Sequence, residues 1–553
     1  MTSDPSTTGA MAEGSPAADP KRWLGLVTIS LAVALIIADA TIVNVAIPSV
    51  IADLGISTTQ AEWITSVYSL VFAALLITVG RLGDLYGRRR LLLAGTVVFV
   101  AASVLCALAP SGALLIAARV LQGIGGAMIL PSTLSTLNAT FRGRERGIAF
   151  AVWGSTIGGM AAVGPLLGGW LTTTFSWRWA FGINVFVGAV IVTGLLLYVR
   201  ETKEDGATKG IDLPGTALSV VGLGGLVFSL IEGQRYGWWN ASEAAAAELG
   251  WTASVSPIVL VAALAVIAVA AFVAVERRRQ RQGRVVVLDL ALFGVPSFRN
   301  GNIAAMIISL GEFGLLFLLP LYIQNILGLS ATRTGVVLVA LAAGSFFSAP
   351  VAPQLSNRLG PRAVVRIGLA AEILGILGIA LSVGVDISVW RLVPWLFLYG
   401  LGVGFATAQL TGVILADVPV AKSGQASGTQ STARQVGSAF GVAIIGAVLV
   451  TTLTSSATDR LEAAGVPAAQ TKALVTATTS SAGAAIGALR AEQGANAPAV
   501  VALEEAYVAA TRQVGLVASG LVLLGLFASF SLGSGRDTAA AEDAGTAPAP
   551  GRG

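Results

Sequence analysis

Three ionisable side chains stand in almost wholly apolar surroundings: Asp39 in ADATIVNVAIP, Glu312 in SLGEFGLLFLLP and Arg119 in LIAARVLQGIGGA. A carboxyl so placed can take up and release a proton, and an arginine beside it holds it ionised until the pair is broken. Glu372 and Arg434 are two more such groups and could pair with each other. The chain has no histidine and a single cysteine, Cys106, in an apolar run. Imidazole chemistry, an intramolecular disulfide and a cysteine metal cluster are therefore excluded, and no metal site is expected. Proton chemistry falls to the carboxylates. No GxxxxGK[ST] sequence occurs, so ATP is not expected either, and no cofactor is implied.

The elements that hold these groups follow from composition. Of 553 residues, 55% are apolar and only 11% charged, where a soluble protein carries about a quarter charged residues. An ordinary soluble enzyme is excluded, and the lipid bilayer is the expected surrounding. A spanning helix needs about 20 mostly apolar residues. Runs of that kind number about fourteen, the first at 23–47 and the last at 513–533. The chain divides into a disordered N-terminus (1–22), six spans (23–199), a linker with two further spans (200–299), six more spans (300–533) and a disordered tail (534–553). The first run is too long, and its preceding residues too acidic, for a cleaved signal peptide. One long external loop, 454–512, is Ala-rich, with short helices expected at Ala485–Gln493 and Val500–Arg512. Of the 34 lysines and arginines, 24 fall on one set of alternate connections, which puts both termini in the cytoplasm. The net charge of +5 is governed by that placement, and no nucleic-acid partner is implied.

A weak internal repeat places the acidic groups. PSVIADLGIS at Pro48–Ser57 corresponds to PLYIQNILGLS at Pro320–Ser330, and Gly80, Asp84 and Gly87 correspond to Pro353, Asn357 and Gly360. Asp39 precedes its proline by nine residues and Glu312 by eight, so the two carboxyls hold related places in two halves. At 1.5 Å per residue they lie roughly 24 and 18 Å above the inner ends of their spans. Arg119 comes to a depth close to that of Asp39, so an ion pair is feasible. Charge at such depth is costly and marks an ion path, a proton relay or a ligand contact.

Four motifs accompany this pattern. GRLGDLYGRRR (Gly80–Arg90) forms the turn between the second and third spans; its glycines permit the tight turn, and Asp84 can face the positive end of a helix. LIAARVLQGIGGA carries Arg119, Gln122 and Gly123. VWGSTIGGMAAVGPLLGG sets Gly154, Gly158, Gly164, Pro165, Gly168 and Gly169 in the fifth span, where small residues allow close packing and the proline favours a kink. ADATIVNVAIP opens the series, and SWRWAFGINV and ARQVGSAFGVA follow it. With these motifs, in order and at the expected helix ends, residues 23–533 resemble the major facilitator superfamily and, within it, the fourteen-helix drug:proton antiporters. The resemblance implies an all-α membrane fold of two six-helix bundles plus two inserted helices. It also implies that Asp84, with Gly80, Gly87 and Arg88, latches the start of the thirteenth helix near Ser423 and Gly424, and that the fifth-span motif marks an antiporter. Asn357 stands where a second latch would need Asp.

The expectation is a proton-coupled antiporter of a bacterial inner membrane that exports amphiphilic drugs or toxic compounds. Its partners are protons and a small amphiphilic substrate, and it is expected to be a monomer. Asp39, Glu312 and Arg119 would couple protons, and Asn44, Tyr68 and Gln324 would line the substrate cavity; Trp63 is a further cavity candidate and at least as good a candidate for an interfacial anchor. A dedicated exporter of one endogenous metabolite, lipid or self-made antibiotic is the alternative. The cytoplasmic loops offer no nucleophile and base constellation, so an enzyme is not expected.

Overall fold

A computed structural model describes residues 20–203 and 210–532. The stretches expected to be disordered at either end lie outside the described residues, apart from 20–22. Among the described residues the regular elements are helices: α1 (Arg22–Leu54), α2 (Thr58–Tyr86), α3 (Arg88–Ala107), α4 (Gly112–Thr140), α5 (Gly143–Thr174), α6 (Trp179–Tyr198), α7 (Leu213–Tyr236), α8 (Glu243–Leu249), α9 (Pro257–Arg281), α10 (Pro296–Asn325), α11 (Ala331–Leu359), α12 (Pro361–Ser382), α13 (Val393–Ile414), α14 (Ser423–Ala463), α15 (Ala468–Ser480), α16 (Ala484–Gln493) and α17 (Pro498–Ser529). Thirteen are long and apolar enough to cross a membrane, and the bent α5 makes fourteen. The all-helical, many-span architecture read from the sequence is thus present. Large apolar side chains such as Phe186, Leu197, Leu264 and Ile267 project outward from the peripheral helices, as a lipid-facing surface requires.

Local chemistry sets the helix ends in both halves alike. Ser57 and Gln60 form a reciprocal capping box at the start of α2, and Ser330 caps α11 by accepting from the Arg333 N–H. Gly87 and Gly360 close those helices with φ of +110° and +85°, a region that suits glycine. Within α5, two segments meet at 43° between Ala161 and Val163. Pro165 lies just beyond the bend, and its ring opposes the Ala161 carbonyl four residues back.

α1–α6 pack against one another, chiefly α1 on α5 and α6, α2 and α3 on α4, and α3 on α6. α10 packs on α14 and α17, and α13 lies between α11 and α12. The two groups meet along α5 with α11 and α13, and along α2 with α14. α7 and α9 pair with each other, and α7 leans on both α2 and α14.

The region expected to be an external loop has more structure than its composition suggests. α14 runs on to Ala463, α15 and α16 follow, and α17 already begins at Pro498. Residues 500–512, expected as a separate short helix, are the first turns of that spanning helix. Arg490 of α16 is ion-paired with Glu504 of α17 and donates to the Ile326 carbonyl (3.1 Å), which pins the segment over the C-terminal end of α10.

Candidate transport site

In the first group of helices, Asp39 is the centre of a closed polar network at 0% exposure. α4 brings Arg119 Nη1 to 2.5 Å from its Oδ2. Asn184 Nδ2 of α6 and Gln122 Nε2 of α4 donate to Oδ1 at 2.7 and 3.1 Å. The guanidinium is fixed in turn: Nε donates to the Ile64 carbonyl (3.0 Å), Nη1 to Gln122 Oε1 (2.8 Å), and its plane lies 4.3 Å over the Tyr68 ring. Ser103 of α3 accepts from Gln122 and Asn184 at 2.8 and 3.1 Å. Five helices converge on one neutral pair. A buried pair is tolerable when every lone pair is met in this way, and removing either charge leaves the other stranded.

The second group holds a looser arrangement. Glu312 of α10 and Arg434 of α14 approach to 3.4 Å, and the Tyr399 hydroxyl donates to the Glu312 carbonyl oxygen at 2.9 Å. Arg434 was expected to pair with Glu372; the structure sets it against Glu312 instead. The three lie at similar depth, but depth leaves the direction around each helix axis open. Glu372 is wholly buried, and neither of its carboxylate oxygens has a hydrogen-bond partner among the described residues.

Asp84, near the end of α2, joins the two groups at the start of α14. Its Oδ1 accepts from the Gly424 N–H (2.8 Å) and its Oδ2 from the Gln425 N–H (2.9 Å), at the positive end of α14. Arg88 Nη2 binds Asp84 Oδ1 at 2.7 Å and the Val420 carbonyl at 2.6 Å, with the guanidinium 1% exposed. Asn138 of α4 adds a bond to Ser423 Oγ at 2.8 Å. Close approach is possible because Gly80 and Gly424 lie backbone to backbone, and a Cβ on Gly428 would come within 2.6 Å of the Leu76 carbonyl.

The fifth-span glycines lie in a second seam. A Cβ on Gly154 would sit 2.9 Å from the Ala408 backbone of α13, and one on Gly158 2.5 Å from Ser345 Oγ of α11. Gly164 faces Thr41 of α1, and a Cβ would come within 3.0 Å of the Ile42 carbonyl at Gly168 and of Thr332 of α11 at Gly169. α5 therefore touches its own group and the opposite one at once.

The residues expected to line a cavity are dispersed. Tyr68 is 4% exposed and lies beneath Arg119, because Ile64 and Tyr68, one turn apart on α2, face the same way. Asn44 is exposed on α1 and Gln324 half-buried on α10. Trp63 packs on Phe228 of α7, ring centroids 6.1 Å apart. Sequence reasoning missed Asn184, Ser103 and Tyr399. The amide that ends SWRWAFGIN, set among apolar residues, was a signal for the first; a serine or tyrosine among apolar residues gives none.

Residues 29–442 match the model of the Major Facilitator Superfamily. The chain belongs to this family of multi-pass membrane transporters, which carry small molecules across a membrane and are not enzymes. It is 35% identical over 464 residues to a probable actinorhodin transporter of Streptomyces coelicolor, covering 81% of this chain and 77% of the relative. It is 35% identical over 441 residues to the puromycin resistance protein pur8 of Streptomyces alboniger (78% and 82%). It is 33% identical over 442 residues to the multidrug efflux pump LfrA of Mycolicibacterium smegmatis (79% and 83%). The fold is similar to that of the human organic anion transporter MFSD10, with a TM-score of 0.57 over 92% of this chain and all of that one; at 14% identity this likeness concerns the fold alone.

Proposed function

We propose that the protein is a monomeric proton-coupled antiporter that exports amphiphilic drugs or toxic compounds across a bacterial inner membrane, with both termini in the cytoplasm. One observation carries the coupling: a fully buried carboxylate, Asp39, paired at 2.5 Å with Arg119 near the middle of the first span. A proton arriving from outside neutralises Asp39, so Arg119 loses its counter-charge, and the hydrogen bonds of Asn184 and Gln122 must be shared with a carboxylic acid. The network then has a reason to rearrange, and α1 and α4 carry that change to α5 and the seam with α11. The Asp84 contacts to α14 serve as the cytoplasmic latch of the state in which the inner ends are joined. Glu312 with Arg434 is the corresponding carboxylate of the other half. The domain division at 23–199, 200–299 and 300–533 follows from this scheme of two rocking bundles.

Export agrees with the names of two relatives, a multidrug efflux pump and a puromycin resistance protein. The name actinorhodin transporter favours a second reading, a dedicated exporter of one self-made antibiotic. A broad susceptibility screen in an efflux-deficient host separates the two by the number of compounds tolerated. Coupling is tested in proteoliposomes by following proton movement as substrate is added. Asp39→Asn is expected to abolish it, and unchanged coupling in both Asp39→Asn and Glu312→Gln overturns the reading.

A further inference from the structure

In the second group of helices two buried acids and one base lie together inside the spans: Glu312, Glu372 and Arg434. We propose that Glu312 and Glu372 form a second proton-binding site that shares the single guanidinium of Arg434, with Glu372 holding a proton that the transport cycle exchanges. The proposal deepens the proton-coupled reading and rests on it.

The two sites differ in their donors. Asp39 receives three side-chain donors and is ion-paired, whereas Glu372 has 0% exposure and no partner for either oxygen among the described residues. The helices packed on Glu372 leave little room for one. Gly402 of α13 lies so close that a Cβ there would come within 2.6 Å of the Glu372 backbone nitrogen and 2.7 Å of its Cγ. Tyr399, also of α13, spends its hydroxyl hydrogen on the Glu312 carbonyl. The ionisable groups within electrostatic reach of Glu372 are Glu312 from α10 and Arg434 from α14, with the Tyr399 phenol beside them. If both carboxyls were ionised, a buried carboxylate would be left without hydrogen bonds or a counter-charge of its own, a far costlier state than a neutral acid. One proton makes the set neutral. Two carboxyls that share a site in this way titrate as a pair.

Exchange follows from where the guanidinium is attached. Arg434 stands on α14, the helix whose first residues Asp84 holds, so a bend of α14 within its own group as the latch opens, added to the rocking of the groups, moves Arg434 relative to the carboxyls of α10 and α12. As the guanidinium leaves Glu312 for Glu372, the O–H bond on Glu372 breaks and an O–H bond forms on Glu312. In the opposite state Glu312 gives that proton to water on one side as the guanidinium returns to it, Glu372 takes a new proton from water on the other side, and no other reactant is consumed. The pair at Glu312, 3.4 Å apart and 11% exposed at Arg434, is loose enough to be broken by such a shift.

Infrared difference spectroscopy of the full-length purified protein tests the occupancy. At neutral pH, wild type minus Glu372→Gln is expected to show the carbonyl stretch of a protonated carboxylic acid, and a difference spectrum without that band overturns the proposal. Should Glu372→Gln fail to fold, Glu372→Asp carries the test: the band shifts, and an unshifted band in the folded variant overturns it. Exchange is tested in proteoliposomes at clamped voltage under a pH gradient of about one unit, with ethidium and puromycin as probes. Loss of one coupled proton lowers the steady-state accumulation ratio about tenfold in Glu372→Gln; an unchanged ratio means the proton is static and overturns the proposal. Asp39→Asn run alongside separates the failures. If Asp39→Asn and Glu312→Gln both leave coupling intact, the parent reading falls, whereas an absent Glu372 band with coupling lost in Asp39→Asn removes the second site alone.

Discussion

Replacing Asp84 by Asn is expected to open the cytoplasmic side. The carboxylate accepts from two backbone N–H groups of α14, and it is the counter-charge of Arg88, which is 1% exposed while the inner ends are joined. Breaking a buried pair by removing one partner costs about 3–5 kcal/mol. When the ends part, Arg88 meets cytoplasmic water, so the cost falls on the joined state. At about 1.4 kcal/mol per factor of ten, the balance between joined and parted ends moves at least about a hundredfold. Ser427, fully buried on α14 one turn past Gly424, supplies the reporter. In a Cys106→Ser background, Ser427→Cys is labelled by a membrane-impermeant maleimide from the cytoplasmic face of inside-out vesicles. Labelling should accelerate with the population of parted ends. Asn138→Ala, which removes one neutral hydrogen bond to Ser423 across the same seam, weakens the joined state by about 1 kcal/mol and should raise the rate less than tenfold. A folded Asp84→Asn protein labelled no faster than its parent, or more slowly than Asn138→Ala, refutes the assignment of the latch.

Asp39→Asn keeps the side-chain shape but strands Arg119, so a lowered Tm should accompany loss of substrate-driven proton movement in proteoliposomes; wild-type values for both would remove Asp39 from the coupling. Gly168→Val forces side-chain atoms against the Ile42 carbonyl, an overpacking of about 1–3 kcal/mol, whereas Gly147→Ala at the start of the same helix meets nothing within 4 Å. Thermal unfolding in detergent should separate them, with Gly147→Ala unchanged. Asp289, in the segment between α9 and α10, is opposed in its charge by burial, yet the Lys422 ammonium, the Ala291 N–H and the Gln280 amide hold its carboxyl below the ordinary range. A carboxyl lowered by folding contributes stability above its unfolded value and loses it as pH falls through the folded one. Hydrogen exchange at residues 285–295 should therefore stay slow at mildly acidic pH and quicken only below the ordinary carboxylate range, while Asp289→Asn should quicken it at neutral pH.

The groups that meet along one coordinate were legible before the structure. Span length, hydropathy and the side on which the arginines fall are one-dimensional properties, and so is depth, which brought Asp39 and Arg119 to the same level. The direction in which a side chain leaves its helix is not written in depth. Glu312, Glu372 and Arg434 lie at similar levels on α10, α12 and α14, and packing decided that Arg434 meets Glu312 at 3.4 Å. Tyr68 failed for the same reason: its aromatic character suggested a pocket wall, while its place one turn from Ile64 turned it under Arg119. The repeat also reached only so far. It relates Asp39 to Glu312, but the arginines come from the fourth helix of one half and the fifth of the other, so no alignment of the halves would have paired Glu312 with Arg434.

The inserted helices take part in the same contacts that the two halves use. α7 is tied to the outer end of α2 by Arg235, which is bonded to Glu62 and Thr59, and to α14 by Gln234, which donates to the Ala443 carbonyl at 3.2 Å. At the C-terminal end of α9, Glu276 accepts from the Val287 N–H at 3.2 Å, and Arg279 holds the Val285 carbonyl at 2.9 Å. Two residues on, the Asp289 N–H donates to Gln425 at 2.7 Å and its carboxylate pairs with Lys422. Gln425 is the residue whose own N–H binds Asp84. A rigid rocking that parts α2 from α14 must therefore break the strap at Asp289 or carry α9 with it, and must slide Gln234 along α14 at the outer end. In the proposed rocking the α7–α9 pair therefore adds load at the Asp84 contacts, which a pair of helices packed only on lipid could not do.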